Sequence, residues 1–310
     1  MKPAALFLSS GDMLADRRYE RAMGYAAEGD RAAAVDLLAQ AVERAPAFAS
    51  AWFALGEIRA QGGDRAGALD AFRGALAADP SDRHGAALHL ARLGAADPAA
   101  AMTSAYVRSL FDQYAANFDR ALVEGLGYRG PQMLREALRA ATAARARPFQ
   151  FAHVLDLGCG TGLVAEALRA DCDAIVGVDL SPAMAAAARR KGLYAEVLVG
   201  DLLDFLAAQP ECSCDLIVAG DVFVYLVDLA PVCRAVARAL APDGLFAFTV
   251  ESHAGTGVVL GERLRYAHGA AHVRAALAAA DLSPLAFEHA STRSENGAPV
   301  PGLLVIATNR

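Results

Sequence analysis

Long apolar runs, cysteine clusters and blocks of like charge are all missing from this sequence. No segment supplies the roughly 20 uninterrupted apolar residues of a membrane-spanning helix, so no such span is expected. The opening stretch MKPAALFLSSGDMLADRR has too short an apolar run for a secretory leader, so a soluble, cytoplasmic chain is expected. The five cysteines (Cys159, Cys172, Cys212, Cys214 and Cys233) are odd in number, and no pair has C-x-x-C spacing. That pattern argues against a disulfide framework and a cysteine zinc site, and no metal is expected. Cys212 and Cys214 read as two ordinary thiols. No long block of one sign occurs and the formal net charge is −6, so neither nucleic acid nor membrane is expected as a partner.

Apolar material, by contrast, is plentiful. Of the 310 residues 55% are hydrophobic, ample for two cores. Residues 11–98 follow a helical pattern that recurs at an offset of 34 residues. One copy carries Trp52, Leu55, Gly56, Ala68, Phe72, Ala75 and Pro80; the copy before it carries Ala22, Tyr25, Ala34, Leu38, Ala41 and Pro46. These positions resemble the W-x2-L-G, A-x3-F-x2-A and closing proline of a tetratricopeptide repeat, with Arg59 in place of the usual tyrosine. The stretch HGAALHLARLGAADP reads as a solvating cap helix. Two copies are fewer than the three that such arrays usually need, so the module is expected to lean on the rest of the chain or on another subunit. Peptide binding or self-association through it is expected as a possible role.

From about residue 150 the pattern changes. HVLDLG, AIVGVD, AEVLVG, DLIVAG and LFAFTV read as buried strands, alternating with helical stretches such as Pro182–Lys191. Such alternation predicts an α/β fold with a Rossmann-like parallel sheet and ligands at the carboxyl ends of its strands. PLAFEHAS and GLLVIATN, joined through TRSENGAPVP, predict a terminal antiparallel hairpin with an Asn-Gly turn.

The first strand runs into Gly158-Cys159-Gly160-Thr161-Gly162. Glycines there admit positive φ and let a ligand approach the backbone. The spacing is G-x-G-x-G, not the G-x-G-x-x-G of a nicotinamide or flavin site. Asp156 precedes the loop, where a carboxylate repels a pyrophosphate but suits a cationic ligand carrying an ammonium and a sulfonium. Asp179 closes the second strand, where a carboxylate can accept ribose hydroxyls. Asp201, after the third, is placed to meet an adenine amino group.

Together these residues resemble motifs I to III of class I S-adenosylmethionine-dependent methyltransferases, a likeness covering roughly residues 148–310. It implies S-adenosylmethionine as cofactor. Gly158, Gly160 and Gly162, with Cys159 between them, would line its methionine and ribose part. Asp156 would organise the amino end, Asp179 (followed by Leu180) the ribose and Asp201 the adenine, with Met184 and Leu202 against the purine. The segment YVRSLFDQYAANFDRAL resembles the lid helix that many small-molecule methyltransferases place before motif I; Tyr114 and Phe118, four apart, share a face and one of them would close over the cofactor. A linking helix packed on the repeats is the alternative. The expected division is a tetratricopeptide-like all-α domain over 1–100, linker and lid helices over 101–147 and a methyltransferase domain over 148–310.

The fourth strand ends in AGDVFVY, without the prolines of the [N/D]-P-P-[Y/F] run that base-modifying N-methyltransferases carry there. Methylation of DNA adenine or of protein glutamine is therefore not expected. Asp221 and Tyr225 are placed where an acceptor would sit, Asp221 as an acceptor-binding or acid–base group. The stretch ESHAGTGVVLGERLRYAHG reads as a long substrate loop. In it His253, Tyr266 and His268 are catalytic candidates, either histidine as a base, and Arg265 is a candidate anchor for an acceptor carboxylate. The expected reaction is methyl transfer to oxygen or nitrogen of a small-molecule or partner-presented acceptor. An interaction module that binds cofactor without turnover, and a protein methyltransferase that recruits substrate through its repeats, remain the alternatives.

Overall fold

A computed structural model describes residues 6–309. The expectation of no leader therefore rests in part on residues outside the described ones. The chain forms two compact units that divide between Gln113 and Tyr114, inside the stretch read from sequence as linker and lid.

The first unit is all helical: α1 (Met13–Glu28), α2 (Arg31–Arg44), α3 (Ala49–Gln61), α4 (Arg65–Ala78) and α5 (Ala86–Arg92), with α6 (Ser104–Tyr114) running to the division. Its Gly-Asp pairs work as punctuation. Gly29, at φ 88°, ends α1 in the left-handed conformation that lets its N–H close on the last turn, and Asp30 then caps α2 by accepting from the Ala33 N–H. Asp64 caps α4 in the same way through Gly67 N–H. The short side chains expected at helix crossings allow backbones to meet side chains. A Cβ on Gly56 would stand 2.7 Å from Phe72 Cδ1, and one on Gly74 would stand 2.6 Å from Trp52 Cδ2.

Phe72 is fully buried and its ring has little room to yield. Gly56→Ala is therefore expected to cost about 1–3 kcal/mol through overpacking, more than the ~1 kcal/mol that alanine gains over glycine in a helix. Thermal unfolding followed by helical circular dichroism measures this, and an unchanged or raised midpoint would mean that Phe72 does yield. The α5 helix departs from expectation. Ala86, Leu88, His89, Leu90 and Ala91 are buried in it, so it packs rather than solvates. Ala86 and Leu90 pack there with Phe72, and the His89 ring, a polar residue in sequence, lies 4.7 Å from the Phe72 ring.

The second unit begins with α7 (Gly130–Ala144) and then alternates as its sequence pattern requires: β1 (Phe151–Leu157), α8 (Leu163–Leu168), β2 (Cys172–Asp179), α9 (Pro182–Lys191), β3 (Glu196–Val199), α10 (Leu202–Ala208), β4 (Cys214–Ala219), α11 (Ala230–Ala239) and β5 (Leu240–His253). After β6 (Val258–Leu260), β7 (Tyr266–Gly269) and α12 (Ala270–Ala278) come β8 (Leu282–Ala290), a small ribbon of β9 (Ser294–Glu295) and β10 (Ala298–Pro299), and β11 (Gly302–Asn309). The main sheet runs β3-β2-β1-β4-β5-β11-β8. The first five strands are parallel, and β11 lies antiparallel between β5 and β8. Asn296 and Gly297 turn the ribbon with φ of 51° and 78°, both positive, as a two-residue hairpin turn demands.

Alternate side chains feed two cores, because the pleat repeats every second residue. Leu216 and Val218 join Leu134 and Leu138 of α7 on one face, while Ile217 and Ala219 join α10, α11 and α12 on the other. Covered on both faces, these strands read as continuous apolar runs, which is why they were legible. Strand order reverses direction between β1 and β4, the switch point at which such sheets bind ligands.

Two expectations need correction. The stretch Glu251–Gly269 is not an open loop: β6 and β7 pair within it, and β7 extends the sheet alongside the end of β5. Their runs of three and four residues are too short to show a period, and the segment between them carries glycine and arginine. Nor is Tyr106–Leu122 one helix. The α6 helix stops at Tyr114, and a 3-10 turn (Ala115–Asn117) and a π turn (Arg120–Glu124) follow. Tyr114 and Phe118 consequently lose the four-residue spacing that would put them on one face.

Candidate functional site

Parallel pairing brings the carboxyl ends of β1, β2 and β4 together, and the residues beyond those ends build the site. Gly158, Gly160 and Gly162 take φ of 62°, 54° and 94°. All three are left-handed, the conformation glycine adopts without a steric cost. The loop is pinned to β2 through the Cys159 N–H, which donates to Val178 O at 2.9 Å. Its Gly160 N–H donates to Asp179 Oδ2 at 2.8 Å, and the other Asp179 oxygen accepts from the Ser181 N–H. A Cβ on Gly158 would meet Val222 Cγ2 at 2.6 Å. The missing Cβ at Gly158 thus lets Val222 pack directly against the loop backbone.

Asp156 sits behind the loop, 1% exposed. Burial pushes its carboxyl up to about 7; the hydroxyl of Tyr194, 2.7 Å from Oδ2, works against that rise and the charge of Asp179 adds to it. Its second oxygen, Oδ1, is buried with no hydrogen-bond partner among the described residues. A buried carboxylate with one oxygen unpaired, beside three bare glycines, fits a ligand that brings a positive donor. These residues therefore suit the ammonium-bearing cofactor that the loop spacing implies.

Other candidate cofactor residues lie along the same edge. Leu180 is half-buried after β2 and Met184 is fully buried on the first turn of α9. Asp201 caps α10 by accepting from the Leu203 N–H at 2.7 Å, with half-buried Leu202 beside it. Phe118 comes within 3.8 Å of the Cβ position of Gly160. Next to it Asp119 accepts from Thr161 of the glycine loop and from Lys191 Nζ at 2.8 Å. A cleft of about 410 Å³ opens there, lined by Phe118, Asp119, Thr161 and Lys191 among others but by none of Asp156, Asp179 or Asp201. Tyr114, by contrast, lies within electrostatic reach of Arg265.

Beyond β4 a second cluster forms. Asp221, at φ 57°, has both oxygens engaged: Oδ1 accepts from Thr249 Oγ1 at 2.6 Å, and Oδ2 accepts from Thr292 Oγ1 at 2.9 Å and Arg293 Nη1 at 2.7 Å. The Arg293 side chain, 4% exposed, also pairs with Glu251 and Glu295. Arg265 spans the same two glutamates, bonding Glu295 and lying 2.6 Å from Glu251 Oε1 as an ion pair without hydrogen-bond alignment. Burial opposes the charge on Arg293, but Asp221 and Glu251 outweigh it and its pKa rises. Tyr225 lies within the field of both arginines.

The histidines are placed differently. His253 Nδ1 accepts from the Gly255 N–H and its Nε2 faces Gly257 O, so the ring braces its own turn. His268 is completely buried on β7, and its Nε2 donates to Leu226 O at 2.9 Å. Burial lowers its pKa to about 4, so the ring is neutral at physiological pH. Tyr266, two residues before, is 1% exposed. Sequence reasoning missed Tyr194, Asp119, Thr249, Glu251, Arg293 and Glu295 as members of these clusters. Asp119 and Glu251 lie in stretches singled out from sequence without being marked themselves, and the others carry no motif, because most of their partners are distant in the chain.

With that geometry in view, residues 155–248 match the family described as "Methyltransferase domain". They form a class I, S-adenosylmethionine-dependent methyltransferase domain. Among curated relatives, a ubiquinone biosynthesis O-methyltransferase of Xylella fastidiosa is 32% identical over 48% of this chain and 65% of its own length. A dTDP-4-amino-2,3,4,6-tetradeoxy-D-glucose N,N-dimethyltransferase of Saccharopolyspora spinosa is 32% identical over 38% of this chain and 47% of its own. The chain thus spans less than two thirds of the curated relatives it matches. The solved structure of the [4+2]-cyclase SpnF aligns over 67% of this chain and 97% of its own with a TM-score of 0.53, at 18% identity. That likeness is one of fold. Among the described residues no helix is long and apolar enough to cross a membrane.

Proposed function

We propose that this protein transfers a methyl group from S-adenosylmethionine to an oxygen or nitrogen of a small-molecule or partner-presented acceptor. The observation that carries the reading is the buried Asp156 with its unpaired oxygen beside the three left-handed glycines. The names of the two curated relatives, one an O- and one an N-methyltransferase, support acceptors of this kind. When bound, the cofactor supplies a methyl group on a positively charged sulfur that serves as its own leaving group. The chain's task is then to orient the two reactants and exclude water, and positioning of that sort is worth about 7–11 kcal/mol.

Residue roles follow from placement. Asp156 takes the cationic end, the glycine loop takes the adjoining backbone contacts, and Asp179 and Asp201 take ribose and adenine, with Cys159, Leu180, Met184 and Leu202 packed along that edge. Phe118 and Asp119 close the loop from outside. Asp221, Tyr225 and Arg265 form the acceptor wall, together with Tyr114 from the segment before β1. Asp221 has both oxygens taken and Arg265 is spanned by two glutamates, so they shape this wall rather than act as a free base and a free anchor. Helices α1–α4 are read as two tetratricopeptide-like repeats, supported by the close approaches at Gly56–Phe72 and Gly74–Trp52, and as a surface for a partner or a second copy.

Thermal unfolding with S-adenosylmethionine, S-adenosylhomocysteine and NAD in parallel tests the cofactor. At about 100 times its dissociation constant, each sulfur ligand should add about 2.7 kcal/mol and raise the midpoint by several degrees, with no effect from NAD. No shift with either sulfur ligand would sink the reading. Release of S-adenosylhomocysteine in the presence of phenols or amines then separates turnover from binding alone.

A further inference from the structure

Tyr194 touches both the glycine loop and the carboxylate behind it, and nothing in the motifs marks it. It sits in the turn between α9 and β3, two strands away from Asp156. Neighbouring strands lie about 4.8 Å apart, so only a long side chain can cross β2 to reach β1. The crossing is made over Gly177, the residue of β2 that pairs directly with Asp156. A Cβ on Gly177 would stand 2.9 Å from Tyr194 Cε1 and 2.9 Å from Cys159 Sγ. On the other side of the ring, a Cβ on Gly162 would stand 3.1 Å from Cε2. Two glycines, one in the strand and one in the loop, therefore make the slot that the ring fills. At its end the hydroxyl donates to Asp156 Oδ2 at 2.7 Å.

We propose that Tyr194 is a positioning residue for cofactor capture: its hydroxyl holds one oxygen of Asp156 and so keeps the other for the cofactor's ammonium. The proposal rests on the cofactor reading above. Asp156 faces Tyr194 from the α9–β3 turn, the Cys159 thiol from the loop and Asp179 from β2, while Tyr128, ahead of α7, lies within its field. No cation stands in that set. A buried acid so placed holds its proton more firmly than an exposed one, and capture of the ammonium favours the ionised form, with the carboxyl O–H proton passing to solvent. Tyr194, by donating to the ionised form, lowers the pH at which this happens.

The test is calorimetric titration of the full chain with S-adenosylhomocysteine from about pH 5.5 to 8.5, for the wild type and Tyr194→Phe. The phenylalanine ring still fills the slot between Gly162 and Gly177, so only the hydroxyl is lost. The wild type should bind more tightly as pH rises through neutrality and should release a proton, seen as a heat that differs between buffers of different ionisation enthalpy. In Tyr194→Phe the midpoint of that rise should move up by about one pH unit, with affinity about tenfold weaker at neutral pH and recovering in alkali. The ligand's own amino group titrates alike in both experiments, so the difference between them reports Asp156. A variant with the wild-type midpoint, or a wild type whose affinity ignores pH, would overturn the role of Tyr194 alone. A wild type that binds neither S-adenosylhomocysteine nor S-adenosylmethionine would overturn the cofactor reading and this proposal with it.

Discussion

Gly158→Ala should abolish stabilisation by S-adenosylhomocysteine and cost about 2–5 kcal/mol of folding stability. Two independent penalties act at this position. The residue has φ of 62°, where a Cβ crowds the following carbonyl and costs about 1–2 kcal/mol. The new methyl would also stand 2.6 Å and 2.8 Å from the two γ-carbons of Val222, and overpacking of this kind costs about 1–3 kcal/mol. Relief requires the loop to move away from β4, which removes the backbone surface that the cofactor is proposed to contact. Gly192→Ala is the control. It too has positive φ, at 66°, but a Cβ there meets nothing within 4 Å, so it should carry only the backbone penalty and leave binding intact. Urea unfolding and ligand-induced thermal shifts of the two variants decide the matter; Gly158→Ala with a normal shift would remove the loop from the cofactor site.

The second large effect is expected at Arg293→Met. Its guanidinium is the common partner of Asp221, Glu251 and Glu295, and removing it leaves three carboxylates around one buried methionine. Breaking a buried ion network by deleting one partner typically costs about 3–5 kcal/mol, far more than loss of a solvent-screened surface pair such as Arg44–Asp12. The deficit should depend on pH with a definite sign. Burial raises the pKa of Glu295, but Arg265 and Arg293 more than offset this and hold it below its ordinary 4.5. A carboxylate whose folded-state pKa is depressed contributes stability above its unfolded value and loses it as pH falls through the folded one. Wild type and variant should therefore converge as pH falls below the ordinary glutamate value of 4.5 and differ most near neutrality. Equal midpoints of unfolding at pH 7 would show that the carboxylates find other partners.

Both predictions concern residues that differ sharply in how far sequence alone reveals them. Gly158 announces itself, since a glycine between an apolar strand and a helix, spaced with two others, implies a bare and left-handed turn. Arg293 does not. It lies in a polar turn with the composition of any exposed hairpin, yet its side chain is 4% exposed because Glu251 on β5 and Asp221 beyond β4 converge on it. Likewise Tyr106–Leu122 has amphipathic spacing that suggests one helix, whereas the backbone changes from α to 3-10 to π within it. Local periodicity describes what a continuous helix would bury, and it is silent on whether the continuation is worth keeping.

By itself the sequence determined the alternation of strand and helix, the terminal hairpin with its Asn296–Gly297 turn, and the ring of acids at the strand ends. The physical reason is that each depends on nearby residues: strands buried on both faces need unbroken apolar runs, and left-handed turns need glycine or asparagine. Only the tertiary structure decided which side chains meet those acids. Tyr194 reaches Asp156 across 38 residues of chain and Arg293 reaches Asp221 across 72. Such pairs arise from the order in which strands lie side by side, and a single polar residue in a turn has no periodicity through which that order could be read.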